Sequence, residues 1–203
     1  MGKACLVPIL ITILFFACKK DVNKNIVKKQ DSTTSIVPDT SRINYVLPDT
    51  VLTKYDESYN TWLDFKQSHN NSYVFVMNFD QGSINNHFII TTKVQNGAVV
   101  ARDFVSYTYV ADPPNTLAKK DTTDKWHEEG ATLNTHQDGG PLMTIDYIYT
   151  HAKTDWLNVD PTKNYLYFET KNQGLVSKCG SNGISCMDDC YLGIQDISSI
   201  TPL

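Results

Sequence analysis

Residues 72–109 read SYVFVMNFDQGSINNHFIITTKVQNGAVVARDFVSYTY, and their patterning decides the fold class. Three runs rich in β-branched and aromatic residues, at 72–79, 87–94 and 98–109, are separated by the turn signals Asp80-Gln81-Gly82-Ser83 and Asn96-Gly97. Such side chains suit a pleated, half-buried surface. Asn-Gly between apolar runs is the strongest short hairpin signal, because both turn positions tolerate positive φ. The stretch predicts three consecutive antiparallel strands.

Working outward, Leu52, Tyr55, Tyr59, Trp62 and Phe65 recur at steps of three and four. That spacing puts them on one face of a helix over about 53–69, with Thr53 as N-cap and Trp62 as a core anchor. On the C-terminal side, residues 111–140 break the pattern with Asp-Pro-Pro, Lys-Lys-Asp, Glu-Glu-Gly and Asp-Gly-Gly, and read as a long, partly ordered loop insertion. Ile145, Ile148, Tyr149 and Ala152 then share a second helical stripe, with Thr144 as N-cap and Asp146 in the first turn. Residues 165–169, 175–179 and 190–200 complete the strands. The order predicts an α+β fold, an antiparallel sheet of about six strands with two main helices on one face, in a single domain over 45–203.

The whole chain has 203 residues, 18 basic against 22 acidic, and 41% hydrophobic residues. It has enough apolar material for a core, which excludes disorder throughout. The acidic balance argues against nucleic acid as a partner. From Tyr45 onward the bias sharpens to 11 basic against 19 acidic residues, a formal charge of −8. An acidic body is soluble and repels polyanions, but it names no partner.

Residues 1–17, MGKACLVPILITILFFA, carry one lysine and then a 14-residue apolar run. That is too short to span a bilayer, which takes about 20 apolar residues, and suits a signal peptide. Residues 18–44 hold five lysines, three aspartates and no aromatic residue, without helical or strand periodicity. They read as a flexible tether, whose lysines near Cys18 are also compatible with resting on anionic lipid headgroups.

The sequence Phe15-Phe16-Ala17-Cys18-Lys19-Lys20 resembles the lipobox of bacterial lipoproteins, matching at Ala17 and Cys18 and departing from it at Phe15. The resemblance implies cleavage before Cys18, acylation of that cysteine, and, with Lys19 where aspartate would retain the protein at the inner membrane, residence at the outer membrane. Several acyl chains make such anchoring effectively permanent. Asp31-Ser32-Thr33, Asp49-Thr50-Val51 and Asp121-Thr122-Thr123 resemble the acceptor of a bacterial O-glycosylation system.

The body also resembles a family of small exported bacterial proteins known only as a domain of unknown function. Carrying that resemblance are Trp62, Asn71-Ser72-Tyr73, the Gly97 hairpin, Thr144-Ile145-Asp146, Tyr167-Phe168-Glu169 with Gly174, and Asp188-Asp189. It implies a fold rather than an activity.

Three cysteines remain in the body: Cys179, Cys186 and Cys190. In an oxidising compartment cysteines pair, so one disulfide and one leftover thiol are expected. A bridge that includes Cys179 is favoured, and Cys186–Cys190 also closes an acceptable loop. The alternative use of these thiols, together with Met187, is a soft-metal or redox site.

Trp126-His127-Glu128-Glu129-Gly130-Ala131 approaches His-Glu-x-x-His, but position 131 is Ala and the second imidazole is missing. His127, His136 and Asp138, with Glu128 nearby, are candidates for a metal or for hydrolytic chemistry. Trp126 and Trp156 lie outside both helical stripes and are candidates to stack on a sugar or grip a protein. No motif implies a cofactor. The sequence therefore points to an anchored envelope lipoprotein acting as a non-enzymatic binding or interaction module for a protein or glycan. An envelope hydrolase built on 126–138 and a metal or redox handler built on 179–190 are the alternatives. Oligomeric state is not legible.

Overall fold

The computed structural model describes residues 45–80, 87–112, 115–187 and 190–203. The signal peptide, Cys18, the tether, the Gln81-Gly82-Ser83 turn and Asp188-Asp189 lie outside the described residues. No described helix is long and apolar enough to cross a membrane.

The fold is α+β, and the described residues form two α-helices and eight strands rather than six, in two antiparallel sheets rather than one. In chain order the elements are α1 (Asp49–Ser68), β1 (Tyr73–Asp80), β2 (His87–Gln95), β3 (Ala98–Asp112), β4 (Asn115–Glu129), α2 (Ile145–His151), β5 (Asn164–Asn172), β6 (Leu175–Gly183), β7 (Tyr191–Ile194) and β8 (Ile197–Pro202). The larger sheet runs β4-β3-β2-β1-β8 and the smaller runs β5-β6-β7.

The β2–β3 hairpin turns at Asn96 (φ 49°) and Gly97 (φ 82°), as the Asn-Gly pair requires. A Cβ on Gly97 would sit 2.6 Å from the Asn71 side-chain amide, which can swing aside, so it is the positive φ that favours glycine here.

The expectations for 111–140 and 190–200 need correction. Residues 111–140 are not one long loop, because 115–129 form β4, which extends the hairpin ladder along β3. Its polar sequence hides the strand: β4 takes its conformation from hydrogen bonds to β3, and its outward side chains remain in water. The stretch 190–200 is likewise not one strand. It leaves the small sheet after Ile194 and joins the large one at Ile197. At the crossing, the Asn78 amide N–H donates to the Asp196 carbonyl (3.0 Å) and the Asn78 side chain to the Asp196 carboxylate (2.8 Å).

Helix α1 starts four residues before Thr53, after Pro48, whose carbonyl accepts from Val51 and Leu52 N–H. Helix α2 is capped as read, with the Thr144 side chain accepting from Tyr147 N–H. Another orphan donor of that helix end, Ile145 N–H, is satisfied by the Tyr73 hydroxyl on β1 (2.9 Å). Just past α2, Ala152–Trp156 form a single π-helical turn.

One core gathers the inner face of the large sheet (Tyr73, Phe75, Met77, Ile90, Phe104), both helical stripes (Tyr55, Trp62, Ile145, Ile148, Tyr149) and the small sheet (Phe168, Val176, Cys179, Ile194). At its centre the Tyr149 hydroxyl donates to the Ser58 carbonyl (3.0 Å) and accepts from Ser58 Oγ (2.6 Å) and Val176 N–H (3.1 Å). Burial pushes this phenol up to about 12, against the opposing pull of the Ser58 and Val176 bonds. The hydroxyl thus ties α1, α2 and β6 together. Tyr149→Phe orphans Val176 N–H and the Ser58 hydroxyl, and should cost about 1–3 kcal/mol. The expected readout is a lower urea midpoint with an unchanged denaturant slope.

Candidate functional site

Strand alternation divides the candidate residues of 126–138 between two faces. Trp126 and Glu128 point to the inner side of the large sheet, where they pair across with Phe104 and Arg102. His127 points to the other side, where its Nδ1 bonds the Asp103 carboxylate at 2.7 Å and its Nε2 lies 3.5 Å from Glu129. The Asp103 bond raises the imidazole above its ordinary value. His127 therefore does not join His136 and Asp138, which lie with Trp126. Among the described residues no group of three His, Cys, Asp or Glu side chains is placed to hold a metal ion.

The inner side holds a group that the sequence did not announce. Arg102, 1% exposed, pairs with Glu128, 0% exposed, through Nε (3.2 Å) and Nη2 (2.9 Å). The guanidinium also donates to the carbonyls of His136 (3.1 Å), Gly139 (2.9 Å) and Gly140 (2.8 Å). These five bonds match its five donors. Glu128 in turn accepts from the amides of Asn134 and His136 and from the His136 ring. Burial pushes this carboxyl up, but the two amides, Arg102 and the His136 ring outweigh burial and hold it at about 2. The only hint in the sequence was Arg102, beside Asp103, inside the otherwise apolar run 98–105.

This pair clamps residues 134–140 over an aromatic row. Phe79 stacks on Phe88 (centroids 4.5 Å apart), Phe88 lies 5.5 Å from Phe104, and Phe104 stacks on Trp126 (5.0 Å). His136 stacks on Trp126 (4.5 Å), and the Trp126 indole N–H donates to the Asp138 carboxylate (3.1 Å). A Cβ on Gly139 would fall 2.7 Å from the Trp126 ring and 2.9 Å from the Arg102 guanidinium, so only glycine lets the loop close this tightly.

Between this loop, the sheet and α2 lies a cleft of about 280 Å³. Its walls include Phe79, Phe88, Met143, Tyr147 and Trp156, and Asp138, Gly139, Gly140 and Pro141 line its loop side. Trp156 is placed by the π-helical turn and packs beside His151 (5.8 Å). Of the two candidate tryptophans, Trp156 lines the cleft and Trp126 supports the loop behind it. The cleft is apolar, with a single carboxylate on its loop side.

The cysteines are arranged differently from the favoured expectation. Cys186 and Cys190 form the disulfide, with Cα atoms 6.1 Å apart, and Cys179 is a buried free thiol. Cys179 faces Phe168 on one side and Ile194 on the other within the small sheet, so its side chain belongs to the core. Burial pushes the thiol up to about 12. A protonated thiol in a strand and a disulfide in a loop do not form a three-thiolate metal site.

No protein-family model, no curated protein and no solved structure matches the chain. The geometry defines an α+β domain with an aromatic cleft beneath a clamped glycine loop.

Proposed function

We propose that this chain is a bacterial envelope lipoprotein, anchored to the outer membrane through Cys18, whose domain over 45–203 is a binding module. Its site is the aromatic cleft, and its ligand presents a small apolar group of aromatic-ring or branched-chain size. The observation that carries this reading is the cleft itself. Five large apolar side chains surround a space of about 280 Å³, closed on one side by a loop that a buried ion pair holds in place. Apolar walls with few polar groups characterise small-molecule sites, and a site preorganised by its own packing loses little entropy on binding.

The hydrolase alternative finds less support. Glu128 is sealed from solvent and stays ionised far below neutral pH, so it is a poor proton acceptor. His127 bonds Asp103 on the opposite side of the sheet.

The test uses the full exported chain and the neutral fluorophore 1-N-phenylnaphthylamine. Its emission should rise and shift to the blue with saturation at one site. Trp156→Ala should weaken that binding about tenfold while the protein stays folded, as expected for loss of one ring contact and its desolvation. Absence of saturable binding, or equal binding by a folded Trp156→Ala, would remove the cleft from consideration. The anchor is checked by the mass of the mature N-terminal peptide, which should begin at acylated Cys18. A bare Cys18 or a retained leader would defeat the membrane assignment.

A further inference from the structure

A second cleft, of about 480 Å³, opens elsewhere, with Tyr167, Lys178, Asn182 and Tyr191 of the small sheet and Asn78, Gln195 and Asp196 around it. Its chemistry differs from that of the apolar cleft. We propose that it is a saccharide-binding site that takes a neutral pyranose unit, using Tyr167 and Tyr191 as stacking platforms and Asn182 as a hydrogen-bonding anchor.

Strand register builds the site. Tyr167 lies opposite Gly180, and Gly180 opposite Gly193, so that cross-strand row carries one side chain only. Neither glycine is replaceable: a Cβ on Gly180 would fall 2.1 Å from the Leu192 carbonyl, and one on Gly193 2.2 Å from the Cys179 carbonyl. The neighbouring row runs Tyr165, Asn182, Tyr191. Tyr191 is fixed through its hydroxyl, which donates toward the carbonyls of Ile194 (2.6 Å) and Cys179 (3.1 Å). The Tyr167 and Tyr191 rings stand 6.2 Å apart and tilted by 32°. A tyrosine ring offers an apolar face, which matches the C–H face of a sugar ring.

Two further observations point to a ligand of this class. Asn182 Oδ1 is buried and has no hydrogen-bond partner, an expensive arrangement that a ligand hydroxyl would relieve. The charges that line the cleft also balance, one ammonium against one carboxylate. Lys178 lies over the Tyr167 ring at 4.9 Å, while Asp196 holds Asn78. An anion would meet Asp196, and a cation would meet Lys178. A neutral polyol meets amides, a carboxylate and an ammonium that can all bond hydroxyls. The volume falls within the roughly 300–1,000 Å³ of small-molecule sites.

The experiment is isothermal titration of the full exported chain with maltohexaose, cellohexaose, xylohexaose and mannohexaose, alongside hexagalacturonate as the acidic comparison. At least one neutral oligosaccharide should bind with a Kd of about 1 mM or tighter. Tyr167→Ala and Asn182→Ala should each weaken it about tenfold, and Tyr167→Phe, which keeps the ring face, should retain it. Thermal unfolding of each variant confirms that it is folded. The proposal is overturned if none of the neutral sugars binds, if hexagalacturonate binds in preference, or if folded Tyr167→Ala binds as well as the parent. Because Trp156 and the apolar cleft take no part, this outcome is independent of the fluorophore experiment.

Discussion

Glu128→Ala should lower the unfolding free energy by about 3–5 kcal/mol at neutral pH. The substitution leaves the Arg102 guanidinium, 1% exposed, without its counter-charge in a place water does not reach. It also orphans the amides of Asn134 and His136 and removes the clamp from the loop over the cleft. The double variant Arg102→Met with Glu128→Leu should cost much less than the single one, since no uncompensated charge remains. Chemical denaturation of the three proteins checks this, and equal costs for the single and double variants would refute it.

Acid should reproduce part of the effect. The Glu128 carboxyl sits at about 2 in the folded chain against an ordinary value of 4.5. Its contribution is therefore complete above about 4.5 and is lost as pH falls from there through about 2. Stability measured across that window should fall more steeply for the parent than for the double variant.

Trp62→Ala is expected to cost about 3–5 kcal/mol, the usual range for emptying a buried aromatic site. Trp62 is 0% exposed and packs against Phe65 (5.7 Å), Tyr73 (5.1 Å) and Tyr149 (6.3 Å). It therefore joins α1 to the large sheet and to α2. Its indole N–H donates to Asp146 (2.8 Å), which also pairs with Lys66 (2.8 Å). Trp62→Phe should cost far less, about 1–2 kcal/mol, because most of the ring volume stays and Lys66 continues to satisfy Asp146. Urea titration of both variants separates the packing contribution from the hydrogen bond.

The Asn96-Gly97 hairpin, the Thr144 cap and the Trp62 stripe were legible in the sequence because each depends on residues within a few positions of one another. The start of α1 was not, because Thr53 looked the better cap while Pro48 supplied the carbonyl that the first turn uses. Strand β4 was invisible for a different reason. Lys119, Lys120, Asp121 and Asp124 carry no apolar alternation, and only the ladder offered by β3 makes that stretch extended. Trp156 does line a cleft, but neither Arg102 nor Gly139 could be tied to it from residue types alone.

The amino-acid order by itself determined the α+β class, the Asn96-Gly97 turn, the Thr144 cap and the apolar stripes, since these follow from backbone preferences and short-range periodicity. Tertiary structure alone decided that β8 lies beside β1, that Arg102 meets Glu128 across two strands, that Cys186 rather than Cys179 takes Cys190, and that two clefts of opposite chemistry form. Those choices depend on contacts between distant segments, whose free energies exist only once the chain has brought the partners together and excluded water between them.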